Sequence, residues 1–415
     1  MKSDNNGTAV LPATQSRTRS VSRIVGLGVT AALWAATIIL ALHTSRFPEV
    51  LGKYSKDYFF LLLILAGLTA LVSLLQLPRV QGWLYRGRYA LVFILVICPL
   101  ITLGMLEFAM RAFNLFGSNF YSDIRRYTTH LELDPNVYFK NPANYHGKYS
   151  TFEISTNNVG LRQGPVTPPA PGEERVLMLG DSVTFGWGVN VEEAFPHQVE
   201  IRMAAAGHPV QAINSGVIGY NSRQELAYLK LHGDELRPKA VILMYVDNDI
   251  EAIDPQRVHL GVLPNPLKDP KGAADYFLSM SRVYFMVHQI GPVIWGGPSR
   301  SLAEKRASAG WKDSMDSVAA MARYCRERGI PFAVFFFRMT SDPVSDALQA
   351  DLIKEAGEDN FYYCDTLPWF QGKNFRQLTN SFIDIHPNGP GHAILADGIT
   401  QFMLQKHMVD HGAVH

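Results

Sequence analysis

The sequence predicts an α/β protein: a three-layer α/β/α sandwich with a mainly parallel sheet, preceded by three transmembrane helices. Three observations lead to this prediction. Long apolar runs are confined to the part of the chain before about residue 110. After residue 172, short apolar runs alternate with segments of helical periodicity. Most of the short runs are continuously apolar, which is typical of parallel strands that are buried on both faces of a sheet.

Three uncharged apolar runs in the first part of the chain are each long enough to cross a hydrocarbon core about 30 Å thick as a helix. They are Ile24–Leu42, Tyr58–Leu75 and Tyr89–Leu106. A cleaved signal peptide would explain only the first run, and the apolar core of such a peptide is normally shorter. We therefore expect three retained spans.

Basic residues flanking these runs predict the orientation in the membrane. The tail before Ile24 carries four Lys and Arg residues, and the connection between the second and third runs carries three without any acidic residue. The first connection also carries three, so that the bias is modest, and it favours a cytoplasmic tail. Three spans then place everything after Arg111 outside, in the periplasm of a bacterium with the anchor in its inner membrane. Glu107 and Arg111, one helical turn apart, are expected to form an interfacial ion pair that reaches water.

Composition divides the chain into four predicted regions. Residues 1–22 are polar and without periodicity, which indicates a disordered cytoplasmic tail. Residues 23–109 form the membrane region, and residues 110–172 an irregular linker that ends in a Pro-rich stretch. Residues 173–410 form the regular domain, which carries an insertion at 251–300.

The regular domain contains strand and helix patterns in alternation. The predicted strands are Val176–Leu179, Gln211–Asn214, Ala240–Val246, Pro331–Phe337 and Phe361–Cys364. The predicted helices are Val191–Ala205, Ser222–Leu231, Ser314–Arg328 and Gly391–Gln405. Functional sites of open parallel sheets form beyond the carboxyl ends of the strands. This rule selects four loop segments: GDSVTFGWG, SGVIGYNS, DND and DIHPNGPGH.

These segments contain the residue types that nucleophilic catalysis needs. Ser182 lies on a Gly-flanked turn from strand to helix, where a hydroxyl projects above the sheet. A serine is a weak nucleophile unless a base takes its proton, and His386 lies in a polar loop at the same end of the sheet. Asp384 is placed to orient the imidazole and to stabilise its cationic form. The sequence therefore predicts Ser182, His386 and Asp384 as catalytic residues.

Acyl transfer also needs hydrogen-bond donors directed at the developing oxyanion. We expect the backbone N–H groups of Ser182 and Gly219 and the side-chain amide of Asn248 to supply three. Each residue also has a plain structural interpretation: Ser182 as a helix N-cap, Gly219 as a glycine with positive φ, and Asn248 as a turn residue.

The four segments occur in the order of the four sequence blocks of the SGNH/GDSL-type serine hydrolase superfamily, which this chain resembles from about Arg175 to Gln405. Upstream, STNNVGLR (from Ser155) is similar to a lead-in of exported members. The resemblance implies a flavodoxin-like α/β fold and an esterase-type Ser-His-Asp site. Its members remove or transfer acyl groups, often acetyl groups on carbohydrates.

Two positions depart from the family pattern. Val246 stands where the third block usually has glycine. Ile383 stands where the family has its acid, three residues before the histidine, so that the nearest acid is Asp384 in a D-x-H arrangement. This spacing is similar to that of some SGNH-like polysaccharide acetyltransferases. Two arrangements are open: Asp384 orients His386, or a backbone carbonyl does so and leaves a dyad.

The combined pattern predicts a membrane-anchored serine esterase or O-acyltransferase that acts on an acylated cell-envelope or exported polysaccharide. As a transferase it would need a membrane partner that supplies the acyl donor or exports the polysaccharide. Two alternatives remain: an inactive scaffold subunit that keeps the fold, and a lipid esterase or thioesterase.

Composition excludes other classes of partner. The chain has 38 basic and 37 acidic residues, so no basic footprint for nucleic acid exists. Cys98, Cys325 and Cys364 lack the spacings of metal or redox motifs, and no metal or cofactor is expected. Cys325 and Cys364 have two interpretations, a disulfide or two buried thiols, and the second is favoured.

Several other residues carry a functional and a structural interpretation. Phe185 and Trp187 line an acyl pocket or belong to the core, and His392 begins the last helix and packs there. Within the insertion, aromatic residues form a lid, a membrane-facing helix or, as the commoner case, a helix packed on the main domain. These insertion residues are Tyr276, Phe277, Tyr284 and Phe285.

Overall fold

The structure is a computed structural model in which two compact units are distinct. It describes residues 13–43, 50–54, 56–84, 93–253, 258, 262, 264–290 and 301–409. The first unit comprises the described residues up to Ser118 together with those of 270–290. The second comprises the described residues of 119–269 and 301–409.

The first unit is built mainly from apolar helices. They are Ala13–Leu42, Lys56–Leu75, Pro78–Leu84 and Cys98–Ala112. Among the described residues, Tyr58–Leu75 and Leu95–Ala112 are long and apolar enough to cross a membrane, whereas the apolar part of the first helix, Gly26–Leu42, is shorter.

Two of the three predicted runs therefore lie in helices of spanning length, and the count of three spans stays a prediction, as does their orientation. Residues 89–92 of the third run lie outside the described residues. The first helix begins at Ala13, so that residues 13–22 are helical rather than part of the predicted disordered tail. Residues 1–12 lie outside the described part of the chain.

Glu107 connects the last apolar helix to the insertion. Its carboxylate accepts hydrogen bonds from the backbone N–H groups of Arg282 and Val283, both at 3.0 Å, and from Ser281 Oγ at 2.9 Å. These donors lie at the start of the short helix Arg282–Phe285, where N–H groups lack partners within the helix. The predicted ion pair with Arg111 is formed at 2.6 Å, but it is buried, with side-chain exposures of 11% for Glu107 and 5% for Arg111. The expectation that it reaches water was wrong, because the insertion covers it.

These contacts also show that the prediction for the insertion, a helix packed on the main domain, was wrong. The helices Pro270–Ser279 and Arg282–Phe285 carry the aromatic residues that we expected to pack on the main domain. In the structure these helices belong to the first unit, with the apolar helices. The sequence offers no local signal for this placement.

The second unit contains a five-stranded parallel sheet, which confirms the predicted α/β class. Its strands are β5 (Glu174–Gly180), β6 (Val210–Asn214), β7 (Ala240–Tyr245), β8 (Phe332–Phe336) and β9 (Tyr362–Asp365), in the spatial order β6-β5-β7-β8-β9. Every pairing in this sheet is parallel. This is the flavodoxin-like order, in which the direction of winding reverses between the first and third strands of the sheet, here β5 and β7. Each strand agrees with its prediction to within about two residues.

Helices cover both faces of the sheet, as the continuously apolar strands predicted. Along β5, Val176 and Met178 face one side, and Leu177 and Leu179 face the other. The first side packs against the helices Phe195–Ala205 and Gly389–Gln405. The second packs against Ser222–Leu236, Ala309–Glu327 and Pro343–Asp359.

The three-layer arrangement also separates the two cysteines of the second unit. Cys325 belongs to the core on one face of the sheet, and Cys364 packs on the core of the other face. Both are free thiols. Burial raises the pKa of Cys325 to about 12 and that of Cys364 to about 11, so that both side chains stay protonated thiols at neutral pH.

The predicted linker contains regular structure, most of it between Phe120 and Ser155. It contains the helix Phe120–Thr128 and two antiparallel hairpins, β1–β2 (Glu132–Asp134 with Tyr138–Lys140) and β3–β4 (His146–Lys148 with Glu153–Ser155). An aromatic core cluster joins this segment to Phe185 and Trp187, which are 0% and 1% exposed. These two aromatics therefore belong to the core. Because the cluster contains residues from both sides of the predicted boundary at residue 173, the second unit begins earlier in the chain than predicted.

Candidate active site

The turn after β5 carries Ser182 at the first position of the short helix Ser182–Phe185. Asp181 caps this helix, since its Oδ1 accepts a hydrogen bond from the backbone N–H of Val183 at 2.9 Å. Gly188, with φ of 90°, ends the turn so close to Asn380 that an added Cβ would lie 1.8 Å from its Nδ2 atom. Only glycine permits this approach.

The predicted nucleophile, base and acid lie in one hydrogen-bonded line. Ser182 Oγ is 2.8 Å from His386 Nε2, and His386 Nδ1 is 2.6 Å from Asp384 Oδ1. The side chains of His386 and Asp384 are 19% and 8% exposed, so that water reaches the imidazole but hardly the carboxylate. With a neutral imidazole, Nδ1–H donates to Asp384 and Nε2 accepts the Ser182 proton. This is the arrangement of a Ser-His-Asp triad.

A tight loop between Thr379 and Pro387 makes the D-x-H spacing possible. Asn380 N–H donates to the carbonyl of His386 at 3.0 Å, and Ser381 N–H donates to that of Asp384 at 3.0 Å. The Asp384 carboxylate turns back toward its own loop, where it accepts the N–H of His386 at 3.2 Å and the amide of Asn380 at 3.1 Å. The alternative of a backbone carbonyl on the imidazole is therefore not what the structure adopts.

The environment of His386 raises its pKa above the ordinary value of 6.5. Burial by itself favours the neutral ring and would lower this pKa. The negative charge of Asp384 and its hydrogen bond act in the opposite direction and outweigh burial, with a smaller contribution from Asp181. Two carboxylates thus stabilise the imidazolium that forms when the ring takes a proton.

Asp181 links Ser182 to Asn248, a role that sequence reasoning did not assign. Its Oδ2 accepts Ser182 Oγ–H at 3.1 Å and the Asn248 amide at 3.2 Å. The serine hydroxyl therefore has two acceptors, Asp181 and His386. Asn248 lies after β7, the neighbour of β5, and is brought to Ser182 by the sheet order.

Gly219 lies in the loop after β6, the other neighbour of β5. It has φ of 76° and occupies the turn that Tyr220 N–H closes onto the carbonyl of Val217 at 3.1 Å. Among the described residues, no acceptor is bonded to the N–H of Gly219 or of Ser182. Both groups are thus available as donors.

His392 has a different role from His386. It is fully buried at the start of the last helix, where its Nδ1 accepts the backbone N–H of Phe195 at 3.3 Å. Burial, with the charges of Arg162 and His386, lowers its pKa to about 3, so that the ring stays neutral. The predicted packing role agrees with this placement.

The sequence alone did not identify four polar residues that hold these loops: Asn141, Arg162, Asp181 and Asn380. Asp181 and Asn380 contact the candidate triad directly. Arg162 ends the STNNVGLR segment, so that a signal was present for that residue. Asn141 is preceded by no comparable motif.

Comparison with solved structures finds several that are similar to this chain. Three of them are an esterase from Pseudoalteromonas sp. (EstA, inhibited by monoethylphosphonate), a lipase/acylhydrolase from Enterococcus faecalis and a mutant of Axe2, an acetyl-xylooligosaccharide esterase from Geobacillus Stearmophilus. The first is 13% identical, with 57% of this chain and 100% of that chain covered and a TM-score of 0.37. The second is 12% identical, with 56% and 96% covered and a TM-score of 0.37. The third is 16% identical, with 55% and 93% covered and a TM-score of 0.34.

No curated protein sequence matches the chain. The sequence model of the GDSL-like lipase/acylhydrolase family matches residues 178–394, just over half of the chain. The predicted enzyme class, acting on ester bonds, is thereby confirmed. The chain belongs to the GDSL-like lipase/acylhydrolase family.

Proposed function

We propose that this chain is a membrane-anchored serine esterase or O-acyltransferase that acts through an acyl-Ser182 intermediate. Its substrate is an acylated polysaccharide of the cell envelope or an exported one, and the acyl group is acetyl. The observation that carries the chemistry is the 2.8 Å separation of Ser182 Oγ and His386 Nε2, with Asp384 at 2.6 Å behind the ring.

Acylation starts when Ser182 Oγ attacks the ester carbonyl. The hydroxyl proton passes to His386 Nε2, and Asp384 stabilises the imidazolium. Negative charge develops on the carbonyl oxygen, where the N–H groups of Ser182 and Gly219 and the Asn248 amide donate hydrogen bonds. The tetrahedral intermediate collapses, the bond to the sugar oxygen breaks, and His386 returns its proton to that oxygen.

In deacylation a second nucleophile gives its proton to His386 and attacks the acyl-Ser182 ester, and His386 then returns the proton to Ser182 Oγ as the acyl group leaves. Water attack releases the free acid, whereas attack by a sugar hydroxyl completes a transfer. Incubating the protein with an acetylated glycan and an unacetylated acceptor, and following both by mass spectrometry, separates the two outcomes. Hydrolase activity gives free acetate only, and transferase activity gives an acceptor that is heavier by one acetyl group.

The apolar helices of the first unit favour a substrate that is located at the membrane surface. Two helices of spanning length precede the catalytic unit, and a third apolar helix is shorter. We place the anchor in a bacterial inner membrane and the catalytic unit on its periplasmic side. As a transferase, the protein would receive its acyl group from a membrane partner.

A lipid esterase or thioesterase is a second candidate, favoured by one observation. Phe382 and Ile385 flank the candidate acid within its loop and are 44% and 61% exposed. A series of p-nitrophenyl esters from acetyl to octanoyl distinguishes the candidates. A polysaccharide deacetylase prefers the shortest ester, whereas a lipid esterase gains kcat/KM with each added methylene because about 0.8 kcal/mol is gained per buried CH₂.

Labelling with a fluorophosphonate tests whether the site is active at all, since only an activated serine reacts quickly. We expect the full-length protein to label and Ser182→Ala not to label. Ser215→Ala is a matched control. Ser215 is a buried serine that follows β6, the neighbour of β5, and its hydroxyl donates to the carbonyl of Met178. A folded protein that fails to label would favour the inactive scaffold.

The pH dependence follows from the raised pKa of His386. The ring must be neutral to accept the serine proton, so that kcat/KM falls as the pH decreases through this pKa. Because Asp384 raises the pKa, the midpoint of the acid limb lies above that of an ordinary histidine. The measurement is kcat/KM for p-nitrophenyl acetate as a function of pH. A profile that stays flat from about pH 5 to pH 8 would exclude His386 as the base.

Replacing Asn248 tests the predicted oxyanion donor. Asn248→Ala is expected to lower kcat about 100- to 1000-fold, because one donor to the oxyanion is lost, while KM changes little. Asn374→Ala, which removes an asparagine that caps the turn Phe375–Gln377, is the control. Equal kcat values for Asn248→Ala and the control would assign Asn248 a structural role only.

A further inference from the structure

The segment of residues 119–164, here called the lead-in segment, lies before the region matched by the family model but within the second unit. It contacts several parts of the candidate site. The ring of Phe120 lies 5.8 Å from that of His386, and the lead-in segment also reaches the Ser182 turn and the Gly219 loop. The last two contacts are buried and polar.

Arg162 holds the end of the Ser182 turn. Its side chain is fully buried, and its guanidinium donates to the carbonyls of Phe185 at 2.8 Å and Val189 at 2.5 Å, and to that of Gly186. A fourth bond, to the carbonyl of Glu153 at 3.0 Å, ties the same group to β4. Phe185 and Gly186 are hydrogen-bonded back to Asp181 and Ser182 within the turn. Burial lowers the pKa of Arg162 to about 10, so that it stays charged at neutral pH.

Asn141 holds the Gly219 loop in a corresponding way. Its Nδ2 donates to the carbonyl of Gly216 at 3.0 Å, and its Oδ1 accepts the hydroxyl of Tyr127 at 2.8 Å. Asn141 is 4% exposed and Tyr127 is fully buried. Gly216 in turn lies directly against the Ser182 helix, since a Cβ added to it would come within 2.2 Å of the backbone nitrogen of Phe185.

The STNNVGLR segment holds the side chains of Arg162 and Asn141 next to each other. Asn157 Oδ1 accepts the N–H groups of Val159 and Leu161, both at 3.0 Å, and thereby closes a turn directly before Arg162. Gly160, with φ of 84°, packs on the Asn141 carbonyl, from which an added Cβ would be 2.6 Å. One tight turn thus fixes both anchoring side chains.

We propose that Arg162 and Asn141 are positioning residues for the oxyanion hole. Arg162 fixes the turn that presents the Ser182 N–H, Asn141 fixes the loop that presents the Gly219 N–H, and the STNNVGLR turn keeps the two in register. The inference rests on the proposed serine chemistry and adds to it. Within the described part of the chain, neither side chain is hydrogen-bonded to Ser182 Oγ, His386 or Asp384. Their loss therefore acts through the position of the Ser182 turn and the Gly219 loop and leaves in place the carboxylates that raise the pKa of His386.

The test uses the full-length protein and two conservative variants. Arg162→Lys keeps the charge but cannot form the same set of bonds, and Asn141→Asp keeps the shape but removes the donor to Gly216. For each variant, kcat and KM for p-nitrophenyl acetate, the midpoint of the acid limb and the thermal unfolding midpoint are measured. Because donors displaced from the oxyanion lose much of their effect, we expect kcat to fall about 10- to 100-fold with KM and the acid limb unchanged.

Arg338→Lys is the matched control for a general loss of stability. The Arg338 side chain is also buried, at 7% exposure, and bonds Asp365, Asp346 and Gln349 beside β8 and β9. Within the described residues, its side chain makes no hydrogen bond to the Ser182 turn. The Arg338→Lys variant should have a lower thermal unfolding midpoint than wild type but the same kcat when folded.

The outcomes separate the inference from the proposed function. If wild-type protein neither labels with fluorophosphonate nor hydrolyses esters, the proposed function fails. If wild type is active but both lead-in variants keep its kcat, or lose no more than Arg338→Lys, the positioning role is refuted. A shift of the acid limb in the variants would also refute it, since that would place the effect on His386. If Arg162→Lys does not fold, Asn141→Asp decides by the same criteria.

Discussion

His386→Ala is expected to lower kcat for p-nitrophenyl acetate by about four to six orders of magnitude, because the serine loses the base that takes its proton. Ser182→Ala should cause a similar loss, and the double variant should be no worse than either single one, since the two residues act as a unit. Initial rates and the rate of fluorophosphonate labelling measure the effect.

His392→Gln provides the matched control for this histidine. His392 is buried and stays neutral, so that its replacement should change thermal stability and leave the kcat of folded protein near that of wild type. If His386→Ala retained more than about one per cent of the wild-type kcat, another base would have to act on Ser182.

Asp384→Asn is expected to lower kcat about 10,000-fold while the fold is kept, because the amide presents the imidazole in the wrong tautomer. The pKa of His386 should fall at the same time, since the carboxylate that raises it is gone, and the acid limb should move to lower pH. Rates measured across the pH range test both expectations in one experiment.

Asp397→Asn removes a carboxylate of the last helix that pairs with Arg202 on the surface, and it controls for the change in charge. A loss of less than about tenfold in Asp384→Asn would mean that the imidazole is adequately oriented without the acid, and the site would then be a dyad.

Local patterns were sufficient for the sheet and for the line of Ser182, His386 and Asp384. Strand β7 is a continuous apolar run whose residues are all buried, which explains why its limits were predictable. The order of the strands then brings the loops after β5, β6 and β7 together, as the rule for parallel sheets states. The helix Pro343–Asp359 was missed although Asp342 caps it through the N–H groups of Val344 and Ser345 and Pro343 begins it, both standard signals of a helix start.

The remaining features depend on contacts between distant parts of the chain. Asn141 and Gly216 are 75 residues apart, and Glu107 and Arg282 are 175 residues apart. Neither pair has a periodicity or motif that connects its members. For this reason the lead-in segment was taken for a linker, and the insertion was assigned to the wrong unit.

The separation of Glu107 and Arg282 has a consequence for biosynthesis. The ribosome makes the last apolar helix long before it makes the residues that cover the Glu107 carboxylate, and until then the neighbouring Arg111 is the group that offsets that charge. Final assembly of the first unit must therefore wait until translation has passed Val283, by which time β5, β6 and β7 have already been synthesised.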